Sequence, residues 1–223
     1  MVKPAHIKIC CIASTEEAEL AVAAGASAVG LVSAMPSGPG PIADEQIAAI
    51  ARGVPPPIAT FLLTCRQDAL QVAPQVRASG CNTVQLCDAF TDRDYATLRR
   101  ELPNVRLVQV IHVEGEASID EALGVAPLVD ALLLDSVRPK GAVKELGGTG
   151  RVHDWAVSRV IRQRSPVPLL LAGALNAGNV GEAIRAVRPF GVDVCSGVRT
   201  DGKLDPGKLS RFVRAVQDAA ARP

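Results

Sequence analysis

The sequence predicts a (β/α)8 TIM barrel, an eight-stranded parallel β-barrel, as a single domain over residues 1–223. Short apolar runs alternate with longer helix-type segments along the whole chain. The apolar runs are continuous rather than strictly alternating, which is typical of parallel strands buried on both faces. The length of 223 residues also suits one α/β barrel. An open doubly wound sheet is the alternative, but the sequence lacks the early GxGxxG loop of a dinucleotide site.

In the first half of the chain, each strand-type run is followed by a segment with helix start or stop signals. Ser14 is suited to cap the first helix and Gly25 to end it, while Gly80 is suited to end the third. A loop of Ser, Gly and Pro, Ser33–Pro41, follows the second strand, and Pro55–Pro57 precede the third. The predicted strands are His6–Ile12, Ala28–Val32, Ile58–Leu63 and Thr83–Cys87, and the predicted helices are Thr15–Ala24, Asp44–Arg52, Gln67–Ala78 and Asp92–Glu101.

The second half continues the same alternation. The run VDALLLDS is nearly all apolar and indicates a buried sixth strand, and a long loop separates it from the next helix. The predicted strands are Arg106–Val113, Ala131–Asp135, Pro168–Ala172 and Val192–Cys195, and the predicted helices are Ile119–Val125, Asp154–Gln163, Ala177–Val187 and Pro206–Ala221. Eight such strand–helix units predict a closed barrel.

Composition argues against several functional classes. The charge is nearly balanced, with 24 Lys+Arg against 23 Asp+Glu, and 3% of residues are aromatic, so neither nucleic acid nor a membrane surface is predicted as a partner. The six cysteines include no CxxC pair and no histidine cluster at zinc spacing, so no metal is predicted. The sequence shows no signal peptide and no membrane-spanning run, which favours a reduced, cytoplasmic protein.

The active site of such a barrel lies at the carboxyl ends of its strands. Alternation along the first strand places Lys8 and Cys10 on the lumen side and turns Cys11 away from it. A lysine beside a thiol lowers the pKa of that thiol, so Cys10 is a candidate base or nucleophile, with inert packing as the alternative. The side chains at the predicted strand ends are Cys10, Cys11, Cys87, Asp88, His112, Asp135, Asp193 and Cys195.

Asp135 ends the sixth strand, where an unpaired charge would be costly to bury. It is therefore either an acid with a tuned pKa or a carboxylate in a salt bridge with Arg138 or Lys140. His112 is either a site residue or a strand-end histidine satisfied by its neighbours. Arg151 either contacts an anion or lies on the surface in a glycine loop.

Two glycine turns predict a phosphate site. Gly173–Ala174 follows the seventh strand and Ser196–Gly197 follows the eighth. Turns of this kind expose backbone N–H groups, and the N-terminus of a following helix attracts a doubly charged phosphate. The loops after strands 7 and 8 form the recurrent phosphate site of (β/α)8 barrels. Two ordinary strand-to-helix turns are the alternative.

Five motifs taken together resemble the phosphoribosylanthranilate isomerase family: KIC, LLLDS, GGTGRVHDW, LAGALN and GVDVCSGV, which follow in this order along nearly the whole chain. The resemblance implies an Amadori rearrangement of N-(5-phosphoribosyl)anthranilate in tryptophan biosynthesis. It implies a small phosphosugar as partner, no cofactor, and a monomer or homodimer. By the same resemblance, Cys10 removes the C2 proton as general base and Asp135 protonates the ribose ring oxygen as general acid. The implied substrate-binding residues are Lys8, Cys87, Gly147, Gly148, Gly173, Ala174, Asp193, Ser196 and Gly197.

Within that set, the resemblance assigns the two glycine turns to the phosphate and Asp193 to the ribose hydroxyls. Three functions remain compatible with the residues. The first is a divergent family member whose carboxylate partner is Arg66 or Arg138. The second is an isomerase of the same chemistry acting on another phosphosugar amine, and the third is a non-catalytic barrel that binds a phosphate ligand.

The chain departs from the usual family pattern at four places. KICC replaces KICG, which puts a second thiol, Cys11, after the base, and GALN replaces GGLN, which puts Ala174 beside the phosphate. Gly38-Pro39-Gly40 stands where the family has Ser-Pro-Arg, so this loop lacks the arginine that pairs with the anthranilate carboxylate. VQLCD replaces VQLHG, so Cys87 stands for a histidine and Asp88 adds a carboxylate expected to repel anthranilate.

Overall fold

The computed structural model describes residues 6–36, 38–136 and 155–221, and its main feature is a closed barrel of eight parallel strands. The strands are β1 (His6–Ile9), β2 (Ala28–Val32), β3 (Ala59–Thr64), β4 (Thr83–Leu86), β5 (Arg106–Val113), β6 (Ala131–Ser136), β7 (Leu169–Leu171) and β8 (Gly191–Val194). The helices are α1 (Thr15–Ala23), α2 (Asp44–Gly53), α3 (Ala69–Ser79), α4 (Asp92–Glu101), α5 (Ala117–Val125), α6 (Trp155–Arg164), α7 (Val180–Val187) and α8 (Pro206–Ala221). The predicted (β/α)8 barrel is confirmed.

The register between strands decides which side chains meet at the carboxyl ends. The barrel closes between β1 and β8, where Lys8 lies opposite Asp193. Between β5 and β6, His112 lies opposite Asp135. Barrel closure therefore makes neighbours of residues that are far apart in sequence.

Apolar side chains fill two regions of the molecule. The larger region lies between the strands and the surrounding helices, and it includes the fully buried Phe212 of α8. The smaller region lies inside the barrel and includes Phe61, Val110 and Leu133. Lys8 is buried in this lumen, with its ammonium 5.1 Å from the centre of the Phe61 ring. The lumen cluster forms the floor of the site described below.

The predicted helix signals at three positions are confirmed. The Ser14 hydroxyl accepts a hydrogen bond from the Glu17 N–H at 3.3 Å, which caps α1. Gly25 and Gly80 follow α1 and α3 with φ angles of +104° and +67°, in the left-handed region that glycine adopts without strain.

Two predicted boundaries are wrong by three residues, and both lie beside the site. Strand β1 ends at Ile9 rather than Ile12, because Cys11 has a φ of +61° that no strand can accommodate. Helix α7 begins at Val180 rather than Ala177. The Asn179 amide explains this delay, since its oxygen accepts from the Asn176 N–H at 2.8 Å and its nitrogen donates to the Ala174 carbonyl at 3.0 Å.

The other elements match their predictions to within two residues at each described end, and Asp154, the predicted start of α6, lies outside the described residues. Short elements that were not predicted include two 3-10 turns, Ala126–Leu128 and Ser196–Val198, and a ribbon of two strands. After β8, a short antiparallel ribbon of β9 (Arg199–Thr200) and β10 (Lys203–Leu204) precedes α8. None of the described helices is both long and apolar enough to cross a membrane. The described residues also include no cluster of metal-ligating side chains.

Candidate active site

A cavity opens at the carboxyl ends of the barrel strands, and we call it the strand-end cavity. It encloses about 730 Å³ when its open mouth is included. The described residues that line it are Cys10, Cys11, Val32, Met35, Gly38, Pro39, Leu63, Gln85, Cys87, Val110, His112, Leu133, Asp135, Ala172, Gly173, Ala174, Leu175, Asp193, Val194, Cys195 and Ser196. It therefore contains both predicted catalytic residues and most predicted binding residues.

Cys10 lies directly after β1, next to a buried ion pair. The Lys8 ammonium is 2.9 Å from a carboxylate oxygen of Asp193, and the lysine side chain is 1% exposed. A methyl group at Gly30 would lie 2.9 Å from the Cys10 Sγ and 3.1 Å from the Lys8 Nζ, so this glycine leaves room for both groups. The predicted placement of Lys8 and Cys10 on the lumen side is confirmed. Lys8 lies below the cavity lining and reaches a ligand only through its neighbours.

The environment of Cys10 favours its thiolate form. Its pKa is lowered chiefly by a hydrogen bond from the Cys11 thiol, and the positive charge of Lys8 adds to this effect, while burial opposes it. For Lys8, burial favours the neutral form, but the charges of Asp193 and Cys10 outweigh burial and raise its pKa. The lysine therefore stays protonated beside the thiolate.

The structure corrects the prediction that Cys11 faces away from the lumen. Cys11 lines the cavity together with Cys10. Strand alternation does not apply at this position, because β1 has already ended and the positive φ of Cys11 turns its side chain inward. The Pro39 carbonyl lies 3.5 Å from the Cys11 Sγ and is a second acceptor within reach of its single S–H proton.

Arg199 of β9 fixes the backbone that carries the two thiols. Its guanidinium donates to the carbonyl of Cys10 at 3.3 Å and also to the carbonyl of Cys11. Glu17 of α1 pairs with the same guanidinium at 3.0 Å. Through Arg199, the unpredicted ribbon after β8 therefore holds the backbone of Cys10 and Cys11 in place.

Asp135 lies near the end of β6, half-buried at the wall of the cavity. Its register neighbour His112 also lines the cavity, and the His112 Nε2 is 3.4 Å from the Cys87 carbonyl. The cavity thus brings together a carboxyl group and a thiol of lowered pKa, Asp135 and Cys10, which follow different strands of the barrel wall.

The two predicted glycine turns meet at the β7–β8 wall of the cavity. Gly173 and Ala174 have φ angles of +89° and +52°, so two successive left-handed residues turn the backbone there. Such a pair forms a concave backbone surface suited to an anion. Ser196 lines the same wall, whereas Gly197 packs against the carbonyl of Leu175 so closely that no Cβ would fit. The late start of α7 means that the β7 turn does not lead directly into a helix, contrary to the prediction.

Comparison with known proteins now assigns the family. Residues 7–215 match the family model for N-(5'phosphoribosyl)anthranilate (PRA) isomerase. The chain belongs to the phosphoribosylanthranilate isomerase family. A protein of Methanosarcina mazei named N-(5'-phosphoribosyl)anthranilate isomerase 2 is 36% identical over 215 residues, which cover 96% of this chain and 94% of that protein.

Two solved structures of phosphoribosylanthranilate isomerases are also similar. One contains monomers generated from the dimeric enzyme of Thermotoga maritima, with a TM-score of 0.79, 26% identity and coverage of 96% of this chain and 99% of that one. The other is an isomerase in complex with reduced 1-(o-carboxyphenylamino)-1-deoxyribulose 5-phosphate, with a TM-score of 0.78, 27% identity and the same coverage. The family thus includes a dimeric enzyme and one that holds a phosphosugar analogue.

Two of the four predicted departures from the phosphoribosylanthranilate isomerase pattern, at Gly40 and Cys87, lie on the side of the barrel formed by β2, β3 and β4. Gly40, which stands in place of the family's arginine, has a φ of +82°, and a Cβ there would lie 2.6 Å from the Cβ of Cys11. Cys87 faces the cavity, and burial raises its pKa to about 12, so it is a neutral thiol. Arg66 is exposed and Asp88 is half-buried, and neither lines the cavity. The expected repulsion from Asp88 therefore does not act from the cavity wall.

Sequence reasoning missed Gln85, the middle residue of the predicted fourth strand, as a site residue. Its side chain is 5% exposed and lines the cavity, and its carboxamide oxygen has no hydrogen-bond partner within the described part of the chain. A buried acceptor of this kind can take a hydrogen bond from a ligand N–H or O–H group. The signal was present, since Gln85 precedes Cys87 by two and shares its face of the strand.

Several residues singled out in the sequence lie outside the described part of the chain. They are Arg138, Lys140, Gly147, Gly148 and Arg151. Their predicted roles, including a salt bridge from Asp135 to Arg138 or Lys140, stay predictions.

Proposed function

We propose that the strand-end cavity carries out the family's reaction, the Amadori rearrangement of N-(5-phosphoribosyl)anthranilate in tryptophan biosynthesis, with Cys10 as the base and Asp135 as the acid. The observation that carries the assignment of roles is the buried Cys10 thiol, whose pKa is lowered and which lies beside the Lys8 ammonium and lines the same cavity as Asp135. Acid and base on separate strands suit a reaction in which one proton leaves carbon while another reaches oxygen.

The two proton transfers balance without a cofactor. Asp135 gives a proton to the ribose ring oxygen, and the ring opens to an iminium between C1 and the anthranilate nitrogen. The Cys10 thiolate then takes the C2 proton, which converts the iminium to an enolamine. Tautomerisation of the enolamine gives the aminoketose, and both side chains return to their starting protonation states through solvent and product.

The remaining polar residues position the substrate. The turn at Gly173 and Ala174, together with Ser196, receives the phosphate through backbone N–H groups. Asp193 has one carboxylate oxygen committed to Lys8, which leaves the other for a ribose hydroxyl. Arg138 follows β6 in the sequence and remains our candidate for the anthranilate carboxylate, because Arg66 does not line the cavity.

The test uses the loss of anthranilate fluorescence when purified protein is mixed with freshly generated phosphoribosylanthranilate. We expect decay well above the spontaneous rate for the wild type and for Cys65→Ala, a matched control whose thiol lies outside the cavity lining. Cys10→Ala and Asp135→Asn should each lose about a hundredfold to ten-thousandfold in kcat. Both should still be stabilised against heat by ribose 5-phosphate.

Other outcomes would overturn the proposal. Heat stabilisation by ribose 5-phosphate without turnover in the wild type indicates a phosphate-binding barrel. Turnover of a different phosphosugar amine alone would move the substrate assignment to that compound, an outcome favoured by the lack of any Lys or Arg among the described lining residues.

We expect the protein to be a monomer or a homodimer in solution, and sedimentation equilibrium would distinguish the two.

A further inference from the structure

Two thiols touch at the mouth of the strand-end cavity. The Cys11 Sγ lies 2.7 Å from the Cys195 Sγ, closer than unbonded sulfur atoms normally approach. The two residues belong to the segments that follow β1 and β8, which are neighbours in the barrel. The contact therefore joins two chain segments that are 184 residues apart.

We propose that Cys11 and Cys195 form a reversible disulfide that switches the catalytic site off under oxidation. A disulfide has an S–S bond of about 2.05 Å, so the two sulfur atoms need to move together by only a fraction of an ångström. Both are free thiols in the structure. No movement of the strands is required, because the two side chains already point at each other across the β1–β8 seam.

A peroxide is the oxidant class that suits this site. The Cys195 thiolate attacks one peroxide oxygen, which gives a sulfenic acid and releases water after protonation. The Cys11 sulfur then attacks the sulfenic sulfur, the S–S bond forms, and the S–O bond breaks. The Cys11 proton leaves with the departing oxygen as a second water. Two thiols thus lose two electrons and two protons, and one hydrogen peroxide becomes two waters.

Accessibility gives the order of attack. Cys195 is half-buried, whereas Cys11 is 6% exposed, so peroxide reaches Cys195 first and Cys11 acts as the resolving thiol. Cys10 is 5% exposed and so is equally enclosed, and the thiol that Cys195 contacts at 2.7 Å is Cys11.

The effect on turnover rests on the proposed function of Cys10. In the reduced protein, Cys11 and Cys10 line the cavity side by side, and the Cys11 thiol lowers the pKa of Cys10. A disulfide has no S–H group, so oxidation removes this donor and leaves a buried thiolate with less support. Losing a hydrogen bond to a charged group generally costs enough free energy to lower turnover about tenfold or more at neutral pH.

The first arm of the test counts thiols and does not depend on turnover. The full chain is treated with limiting hydrogen peroxide, denatured, alkylated and weighed by intact mass spectrometry. The wild type has six cysteines, so loss of two should leave four alkylated, with a mass lower by two hydrogens before alkylation and full recovery after dithiothreitol. Cys11→Ser and Cys195→Ser should each keep all their remaining thiols. Cys10→Ser and Cys65→Ser should each still lose two.

The second arm measures activity relative to each untreated protein. We expect peroxide to lower wild-type turnover about tenfold or more with recovery by dithiothreitol, while Cys195→Ser keeps its own activity over the same time. Three results would overturn the pairing of Cys11 with Cys195. They are a loss of two thiols in Cys11→Ser, no loss of thiols in Cys10→Ser, and a mass gain from added oxygen in place of the disulfide. A cross-link that leaves turnover unchanged would overturn the switch, and an inactive wild type that still forms the cross-link would count against the proposed function alone.

Discussion

The two sides of the strand-end cavity differ in how firmly their polar groups are held. On the β1–β8 side, Lys8 pairs with Asp193 and the backbone of Cys10 accepts from Arg199. On the β2–β4 side, the wall is mainly apolar, with residues such as Val32 and Leu63. The side that carries the proposed base is therefore held by buried polar contacts, whereas the opposite side offers mainly apolar surface to a ligand.

The two sides nevertheless meet at one contact. Cys11 occupies the position of a family glycine, and Gly40 occupies the position of a family arginine, and a Cβ at position 40 would lie 2.6 Å from the Cys11 Cβ. A side chain at position 11 therefore excludes a side chain at position 40 in this backbone. We therefore predict that these two departures from the family pattern are energetically coupled.

The largest effect is expected from breaking the ion pair on the β1–β8 side. Lys8→Met leaves the Asp193 carboxylate buried and unpaired, so the free energy of unfolding should fall by about 3–5 kcal/mol, as measured by urea denaturation. Lys8→Met/Asp193→Leu should recover most of this stability, because the pair is replaced by apolar groups, yet remain inactive without the ammonium beside Cys10. Full stability in the single variant would contradict the buried pair.

A smaller effect is expected where the two sides touch. Gly40→Arg alone should lower the free energy of unfolding by about 1–3 kcal/mol, because the new side chain overlaps Cys11. Gly40→Arg/Cys11→Gly should recover much of that loss. The double variant should also lower KM for phosphoribosylanthranilate about tenfold, since an arginine returns to the carboxylate end. Additive effects of the two changes would show that the positions are not coupled.

The pH dependence of turnover tests the effect of the Cys11 thiol on the pKa of Cys10. The base works as a thiolate, so kcat/KM rises as the pH rises through the pKa of Cys10, which lies below its ordinary value. Cys11→Gly removes the hydrogen-bond donor, so the acidic limb of the profile should move to higher pH and turnover at neutral pH should fall several-fold. Cys11→Ser keeps a donor, and its profile should stay near that of the wild type. Identical profiles for both variants would remove Cys11 from this role.

The smallest effect concerns the phosphate turn. Ala174 has a φ of +52°, so Ala174→Gly should raise the free energy of unfolding by up to about 1 kcal/mol, as measured by urea denaturation. Ala172→Gly is the matched control in the same wall and should lower it by about 0.5–1 kcal/mol, because that residue has no strain to relieve. Destabilisation by Ala174→Gly would show that the alanine methyl contributes packing that outweighs the strain.

The sequence allowed the fold to be predicted because its signals were local. Continuous apolar runs and capping residues such as Ser14 and Gly80 depend only on neighbouring positions. Helices α4 and α8 accordingly have their predicted bounds. Boundaries failed where backbone conformation was decided by a tertiary contact, as at Cys11 beside Pro39.

The sequence predicted which residues lie at the site better than it predicted which of them contact each other. The strand-end rule selected Cys10, Asp135 and Cys195, which all line the cavity. The pairing of Lys8 with Asp193 depends on closure of the barrel over 185 residues, which no local pattern specifies. The positive φ of Cys11 is likewise invisible in the residue type, because only glycine signals such a conformation.

The proposed mechanism requires Cys10 to be a thiolate base at neutral pH. The most direct measurement is a pH titration of ultraviolet thiolate absorbance in the wild type minus that in Cys10→Ser. We predict that the difference titrates below the ordinary thiol pKa of about 8.5 and that its midpoint coincides with the acidic limb of the kcat/KM profile. The assignment of Cys10 as the base would be contradicted if the absorbance difference titrates above that value. It would also be contradicted if the titration midpoint differs from the pKa of the acidic limb of the kcat/KM profile.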